Sequence, residues 1–266
     1  MIKLFVSDVD GTLVDKQKRL TPATIDAVRR LKAAGVRFTI ISARQRRGMM
    51  PIADALEIDA PMAAFNGGLI FKRDGWTGER HSIERDVARG VIAMAAGAPV
   101  DIWVFADDLW HASTDRGEHV AHERIAANQE PVIRADFADL LDRADKITFV
   151  HDTPEVLADL RDRMRAGHGE QATIAQSQTY YLDVTALAAN KAAGVAALAA
   201  AIGVDLADTA VIGDQHNDLP MLTRAGLAIA MGNAPDDVKA AAAHVTQAND
   251  ADGVAHAINC YILENQ

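Results

Sequence analysis

The chain has 266 residues, 49% of them hydrophobic, and can therefore bury one large core or two modest ones. Its formal net charge of -10 argues against a nucleic-acid surface, because phosphate backbones are bound by clustered Lys and Arg side chains. The single cysteine, Cys260, cannot form an internal disulfide, and the longest apolar run, 192–202, is too short to span a bilayer. We therefore expect a cytoplasmic protein without a signal peptide that binds neither nucleic acid nor membrane.

The first predicted strand lies within residues 3–13, KLFVSDVDGTL. Its apolar run ends at Asp8, and a second carboxylate follows at Asp10. A strand whose first acidic residue stands at its carboxyl end is typical of an open parallel sheet, where ligands bind beyond the strand ends. Gly11 then allows the backbone angles that a tight loop requires.

The two aspartates of this stretch are suited to different roles. A carboxylate beside a bound cation stays ionised and can attack phosphorus, so Asp8 is the predicted nucleophile. Asp10 can protonate the leaving oxygen and later activate a water molecule. The alternative interpretation of Asp-x-Asp-Gly is a turn without catalytic function, since Asp and Gly are common turn residues.

A second strand and its polar end follow. Thr21-Pro22 predicts the start of a helix that runs to residue 34, and 36–41 is the next predicted strand. Ser42 ends this strand, where its hydroxyl can hydrogen-bond a phosphoryl oxygen, although a helix cap is the simpler interpretation.

Further candidate substrate-binding residues follow Ser42. Ala43 and Arg44 come directly after it, and Arg44 opens a small basic cluster. Asn66 interrupts a third predicted strand, 61–70, and is either a residue near the substrate or part of a hairpin turn.

Residues 82–184 have a different character. Strand-like and helical segments alternate without an obvious catalytic cluster, which predicts a second α/β domain inserted into a first domain formed by 1–81 and 185–266. Within the insertion we interpret Trp103 and Trp110 as core residues, and His119 and His122 as surface residues.

The first domain resumes with two more polar clusters. Lys191 stands at the start of a predicted helix, where its ammonium can neutralise a phosphoryl group and Asp8. A strand at 210–212 ends in Gly213-Asp214, and Asn217 and Asp218 precede the next helix.

In this order, DVDGTL, the terminal Ser42, Lys191 and the Gly-Asp-x-x-Asn-Asp segment at 213–218 resemble the motifs of the haloacid dehalogenase superfamily of phosphatases, and the last segment is similar to its Cof-type branch. The resemblance implies a doubly wound parallel sheet with an inserted α/β cap, which closes over the site and selects the substrate. The chain departs from the family pattern by having Ala43 and Ala192 where glycine is common.

The resemblance also implies a magnesium site. Asp8, Asp214 and the backbone carbonyl of Asp10 are the expected ligands, completed by phosphate and water. Asp218 either holds a metal-bound water or orients Lys191. Asn217 is expected to reach the phosphoryl group.

The predicted activity is magnesium-dependent hydrolysis of a small phosphorylated metabolite, such as a sugar phosphate, through an aspartyl-phosphate at Asp8. Three alternatives stay open from the sequence: a phosphosugar mutase, a phospho-accepting signalling domain, and a phosphate-binding protein without turnover. The sequence predicts neither the specific substrate nor the oligomeric state.

Overall fold

The structure, a computed structural model, describes residues 1–265 and divides into two compact units. Unit 1 comprises Met1–Ala43, Met49–Glu79 and the described chain from Asn190 onward; unit 2 comprises Arg44–Gly48 and Arg80–Ala189. Most of the predicted first domain, 1–81 and 185–266, thus lies in unit 1, and the predicted insertion, 82–184, lies in unit 2. The domain boundaries at 82 and 184 stay a prediction.

The strands of the described chain are β1 (Leu4–Ser7), β2 (Arg37–Ile40), β3 (Met62–Ala64), β4 (Leu69–Phe71), β5 (Thr77–Arg80), β6 (Asp101–Ala106), β7 (Leu109–Ala112), β8 (Val132–Ile133), β9 (Ala144–Val150), β10 (Ala172–Gln178), β11 (Tyr181–Ala186), β12 (Thr209–Gly213), β13 (Leu227–Ala230) and β14 (His244–Val245). The α-helices are α1 (Pro22–Ala33), α2 (Arg46–Ala55), α3 (Arg85–Met94), α4 (Val120–Ala127), α5 (Pro154–His168), α6 (Lys191–Ile202), α7 (Leu219–Leu222), α8 (Asp236–Ala240) and α9 (Gly253–Ala257).

The main sheet of unit 1 is parallel throughout, in the order β14-β13-β12-β1-β2. Every residue of β1 is buried, as expected for a central strand covered on both faces. β1 pairs with β12 on one side and with β2 on the other, so the residues that follow these three strands emerge at one edge. The predicted doubly wound α/β fold is confirmed.

Helix α6 packs on this sheet through Val195 and Leu198, which share a buried core with Leu4, Val6 and Val211. Helix α1 begins where the sequence predicts, because the Thr21 side chain accepts a hydrogen bond from the backbone N–H of Thr24. The contacts of α6 fix the helix that begins at Lys191 against the strands that precede Asp8 and Asp214.

The predicted third strand, 61–70, folds instead as a hairpin. β3 and β4 run antiparallel and are joined by a short 3₁₀ turn, Phe65–Gly67, in which Asn66 has φ 59°. Asparagine tolerates this left-handed conformation better than most residues, and the turn places its side chain beyond the strands. The hairpin interpretation of this stretch is therefore confirmed.

Unit 2 contains a six-stranded sheet in the order β10-β11-β9-β6-β7-β8. Helices α3 and α5 contribute to its buried core, which includes Val87, Leu157 and Leu160. Trp103 and Trp110 are buried and meet edge to face with ring centroids 5.1 Å apart, which confirms their predicted place in a core.

The two histidines predicted at the surface differ in their environment. His122 is exposed, whereas the half-buried ring of His119 stacks on Tyr180 with centroids 3.8 Å apart and bonds Asp152 at 2.6 Å. The surface interpretation therefore holds for His122, while His119 is only partly exposed, because a neighbouring aromatic ring covers one face of its imidazole. Over residues 1–265, the structure contains no helix with the length and apolar character that crossing a membrane requires.

Candidate active site

Two buried carboxylates stand at the carboxyl edge of the parallel sheet of unit 1. Asp8 follows β1 directly and Asp214 follows β12, and the two strands are hydrogen-bonded neighbours. Both side chains are almost fully inaccessible to solvent. Carboxylates in such a place need partners, because burial of an unpaired charge is costly.

Lys191 supplies the opposite charge. It is the first residue of α6, whose preceding residue Asn190 caps the helix by accepting from the backbone N–H of Ala193. The buried Lys191 ammonium donates to Asp8 Oδ1 at 2.6 Å and to Asp218 Oδ1 at 2.5 Å. The helix start therefore holds one cation between two acids that come from distant parts of the chain.

Asp218 uses both of its carboxylate oxygens within the site. Oδ1 accepts from Lys191, while Oδ2 accepts from the backbone N–H groups of Asp214 and Gln215 at 2.8 and 2.9 Å. Gly213 makes room for this arrangement, since a Cβ there would lie 2.4 Å from the Asp218 carboxyl carbon. This set of contacts favours the second of the two predicted roles, in which Asp218 orients Lys191.

Burial and mutual charge shift the protonation of these groups. Burial raises the pKa of the Asp8 carboxyl well above its ordinary value, against the opposing charge of Lys191. Burial and the charge of Asp218 raise the pKa of Asp214 to about 6. Burial alone would lower the pKa of Lys191, but the charges of Asp218 and Asp8 outweigh it and raise that pKa. One ammonium thus faces three acids, so the cluster carries an excess of negative charge when all three are ionised.

The donor set fits a small divalent cation. Ligand oxygens of Asp8, Asp214 and Asp218 all lie within 4.8 Å of one another, and oxygen ligands are those that magnesium prefers. A divalent cation would also neutralise the excess negative charge of the cluster. The carboxylate of Asp10 is not part of this group of three; its predicted contribution to a metal is the backbone carbonyl.

Gly11 allows the loop that follows β1 to approach Asp214. Its φ is +78°, in the region that favours glycine, and a Cβ at this position would lie 2.3 Å from Asp214 Oδ2. The predicted need for unusual backbone angles at Gly11 is confirmed.

Two residues that contact Asp214 and are distant from it in sequence were not predicted as site residues. Thr12 Oγ1 donates to Asp214 Oδ1 at 2.9 Å, and Asn233 Nδ2 lies 3.3 Å from Asp214 Oδ2 and donates to the Gly11 carbonyl at 2.9 Å. Asn233 follows β13, whose carboxyl end lies at the same edge of the sheet as those of β1 and β12. A polar residue after a further parallel strand was the signal that could have identified it.

Asp10 lies in the loop after β1, and its partner was also not predicted. Lys18 Nζ contacts Asp10 Oδ1 at 2.6 Å, and both side chains keep some exposure to solvent, 25% for Lys18 and 34% for Asp10. The predicted acid–base residue is therefore less buried than the predicted nucleophile.

The candidate substrate-binding residues lie in two groups. Ser42 is buried after β2, and its carbonyl accepts from the backbone N–H of Asn66 at 2.7 Å. The Asn66 side chain in turn accepts from Asn217 Nδ2 at 3.4 Å, so the structure brings these three residues together in unit 1. Ala43 is half-buried at the end of the first segment of unit 1, whereas Arg44 belongs to unit 2 and donates to the Gly48 carbonyl.

Comparisons with known proteins identify the family of the chain. A family model described as haloacid dehalogenase-like hydrolase matches residues 5–258. A protein of Haemophilus influenzae is 30% identical over 258 residues, which cover 96% of this chain and 96% of that protein. The 5-amino-6-(5-phospho-D-ribitylamino)uracil phosphatase of Bacillus subtilis is 28% identical over 263 residues, which cover 98% of this chain and 96% of that protein.

A solved structure supports the same relationship. The crystal structure of a haloacid dehalogenase-like hydrolase from Bacteroides thetaiotaomicron matches with a TM-score of 0.89 and 26% identity. The match covers 97% of this chain and 99% of that one, so the likeness extends over both units.

Proposed function

Because this chain belongs to the haloacid dehalogenase-like hydrolase family, we propose that it is a magnesium-dependent phosphatase that hydrolyses a small phosphomonoester through an aspartyl-phosphate at Asp8. The observation that carries the proposal is the bridge from Lys191 to Asp8 and Asp218 beside Asp214. This bridge supports a nucleophile that is fixed in place within a cluster suited to a divalent cation and a phosphoryl group.

In the first step, a carboxylate oxygen of Asp8 attacks phosphorus, and the bond from phosphorus to the ester oxygen breaks. Asp10 gives its proton to the leaving oxygen and becomes a carboxylate. In the second step, Asp10 takes a proton from water, the water oxygen attacks phosphorus, and the Asp8 carboxylate is released with inorganic phosphate. Lys191 keeps Asp8 oriented through both steps and offsets negative charge on the phosphoryl group.

Asp8, Asp214 and the backbone carbonyl of Asp10 would hold the magnesium ion, with Asp218 acting through Lys191 or a bound water. The ion supplies charge neutralisation for the phosphoryl group when bound. Thr12 and Asn233 keep the Asp214 carboxylate in one orientation, since each contacts one of its oxygens.

Ser42 and Asn217 are the proposed contacts for the phosphoryl oxygens, with Asn66 supporting Asn217. Ala43 and Arg44 are proposed as further substrate-binding residues. We assign selection of the leaving group to residues 82–184, as a cap. A cytoplasmic location is part of the proposal and is supported by the presence of only one cysteine.

The substrate is proposed to be a sugar phosphate or a similar small metabolite. The Bacillus subtilis relative acts, by its name, on a phosphorylated ribityl compound, which is an ester of a polyhydroxylated chain. We infer a substrate of this general kind and no specific compound.

Phosphate release tests the proposal. The purified protein is assayed with a panel of sugar phosphates, nucleotides, pyridoxal phosphate and an aryl phosphate, with and without magnesium. We expect metal-dependent release that Asp8→Asn abolishes and that Asp208→Asn, a change at a partly exposed carboxylate paired with Lys3, leaves intact. Transfer of phosphate between sugar positions without release would indicate a mutase, and no reaction with any compound would contradict the proposal.

A further inference from the structure

Lys18 forms an ion pair with Asp10, and no step of the proposed reaction uses Lys18. The ammonium lies 2.6 Å from Asp10 Oδ1 and is only a quarter exposed. Lys16, two residues earlier in the same loop, points its ammonium elsewhere and pairs with Asp250 at 2.6 Å. The loop thus carries two lysines, of which one contacts the proposed acid–base residue.

The backbone of the loop holds Lys18 in place. The Asp15 side chain accepts from the backbone N–H groups of Gln17 and Arg19, and the Lys18 N–H donates to the Asp15 carbonyl at 2.9 Å. Lys18 itself has φ 61°, a left-handed conformation that lysine seldom adopts. The turn therefore fixes the backbone of Lys18, whose side chain reaches Asp10.

An acid–base group acts only when it lies within hydrogen-bonding reach of the atom whose proton it transfers. Asp10 belongs to a partly exposed loop, so its side chain needs a partner that limits its rotamers. We infer that Lys18 is a positioning residue, which holds the Asp10 carboxyl where it can reach the leaving oxygen. This inference rests on the proposed function, because it assigns a role within the same reaction.

The test compares two leaving groups. Nitrophenolate departs without protonation, whereas an alkoxide needs a proton from the acid. For Lys18→Met we expect kcat/KM for an alkyl phosphate to fall about 10-fold, and kcat/KM for 4-nitrophenyl phosphate to fall no more than about 2-fold. Lys18→Arg should retain most of the alkyl phosphatase activity, and Lys16→Met should behave like the wild type.

A double-variant cycle shows whether Lys18 acts through Asp10. In an Asp10→Asn background, Lys18→Met should cause no further loss with either ester. Equal losses on both esters, or a further loss in the Asp10→Asn background, would overturn the inference.

A structural measurement does not depend on turnover. In crystal structures of the two lysine variants, we expect Asp10 to keep one conformer in Lys16→Met and to be displaced or to occupy several conformers in Lys18→Met. An unchanged Asp10 side chain in Lys18→Met would overturn the inference, even if the protein hydrolyses esters. Absence of turnover in the wild type would instead contradict the proposed function, and the conformers of Asp10 would still decide the role of Lys18.

Discussion

The ammonium of Lys191 donates to Asp8 Oδ1 across 183 residues of sequence. The two residues meet because a helix start and a strand end lie at the same edge of a parallel sheet. Both side chains are buried, so removal of the ammonium would leave the carboxylate buried without its counter-charge.

Replacement of Lys191 by Met should destabilise the protein and abolish activity. The change leaves Asp8 and Asp218 buried without their shared cation, and breaking a buried pair in this way costs about 3–5 kcal/mol. We expect turnover to fall at least about 100-fold, because the phosphoryl charge also loses its partner. Urea unfolding and phosphate release measure the two effects, with Lys239→Met as a control at a more exposed lysine. A variant as stable as the wild type would show that Lys191 does not offset these charges.

Replacement of Asp8 by Asn should have opposite effects on activity and stability. Burial raises the pKa of Asp8, so its ionised form is unfavourable in the metal-free protein, and the amide removes that charge while keeping an oxygen for Lys191. We expect turnover to fall about 10⁴-fold or more and the metal-free protein to gain about 1 kcal/mol of unfolding free energy. Thermal unfolding and single-turnover assays check both, and wild-type turnover in this variant would refute the assignment of the nucleophile.

The stability of the metal-free protein should depend on pH through Asp214. Its pKa is raised from 3.8 to about 6 in the folded state, so the folded protein binds this proton more tightly than the unfolded chain does. The stability from this group is fully present below pH 3.8 and is lost as the pH rises through about 6. Magnesium binds the ionised cluster, so its stabilising effect should be small near about pH 5 and larger near about pH 7.

Thermal unfolding at several pH values, with and without magnesium, measures this effect. Asp214→Asn should flatten the dependence on pH and reduce the response to magnesium, whereas Asp208→Asn should leave the response to magnesium unchanged. A magnesium effect of equal size at both pH values would argue against Asp214 as a ligand.

The carboxylates and the lysine of the site could be predicted because each obeys a local rule. Asp8 and Asp214 follow apolar strands, which predicts that they lie at one edge of a parallel sheet. Lys191 begins a helix, and its assignment to the same site came from the resemblance of the ordered motifs to the family. Thr12, Asn233 and Lys18 could not be assigned in this way, because their contacts depend on how loops fold back. Thr12, for example, meets Asp214 across 202 residues, and a threonine after Asp-Gly looks like an ordinary turn residue.

The fold shows the same division between local and long-range information. The helix starts at Thr21 and Asn190 are set by side chains that cap the next turn, and the structure has both. The path of β3 and β4 was harder to predict, because a short apolar run with a central Asn-Gly-Gly fits either an interrupted strand or a hairpin. Pairing between the two halves decides between these two outcomes.

Asn233 should hold the loop after Asp8 in place without itself contacting the reacting atoms. Its side-chain amide donates to the Gly11 carbonyl and lies beside Asp214 Oδ2, and its oxygen accepts from the backbone N–H of Asn249. Asn249 in turn donates to the Val14 carbonyl at 2.9 Å, so two asparagines hold the segment 11–14 of the loop after Asp8. Asn233→Ala removes three contacts at once and leaves polar groups unpaired, which costs about 1–3 kcal/mol.

We expect Asn233→Ala to weaken the response to magnesium and to lower kcat about 10-fold. The reason is that the Asp214 carboxylate and the loop after Asp8 are then no longer held in a single orientation. Asn233→Asp is the sharper variant, since it keeps the shape of the side chain and places a second carboxylate against Asp214. If Asn233 acts through hydrogen bonds, the Asn233→Asp variant should lose at least as much magnesium activation as the Asn233→Ala variant. Activation profiles measured for both variants, with exposed Asn128→Ala as the control, distinguish this role from simple filling of space. Recovery of wild-type behaviour by Asn233→Asp would show that only the volume of the side chain matters.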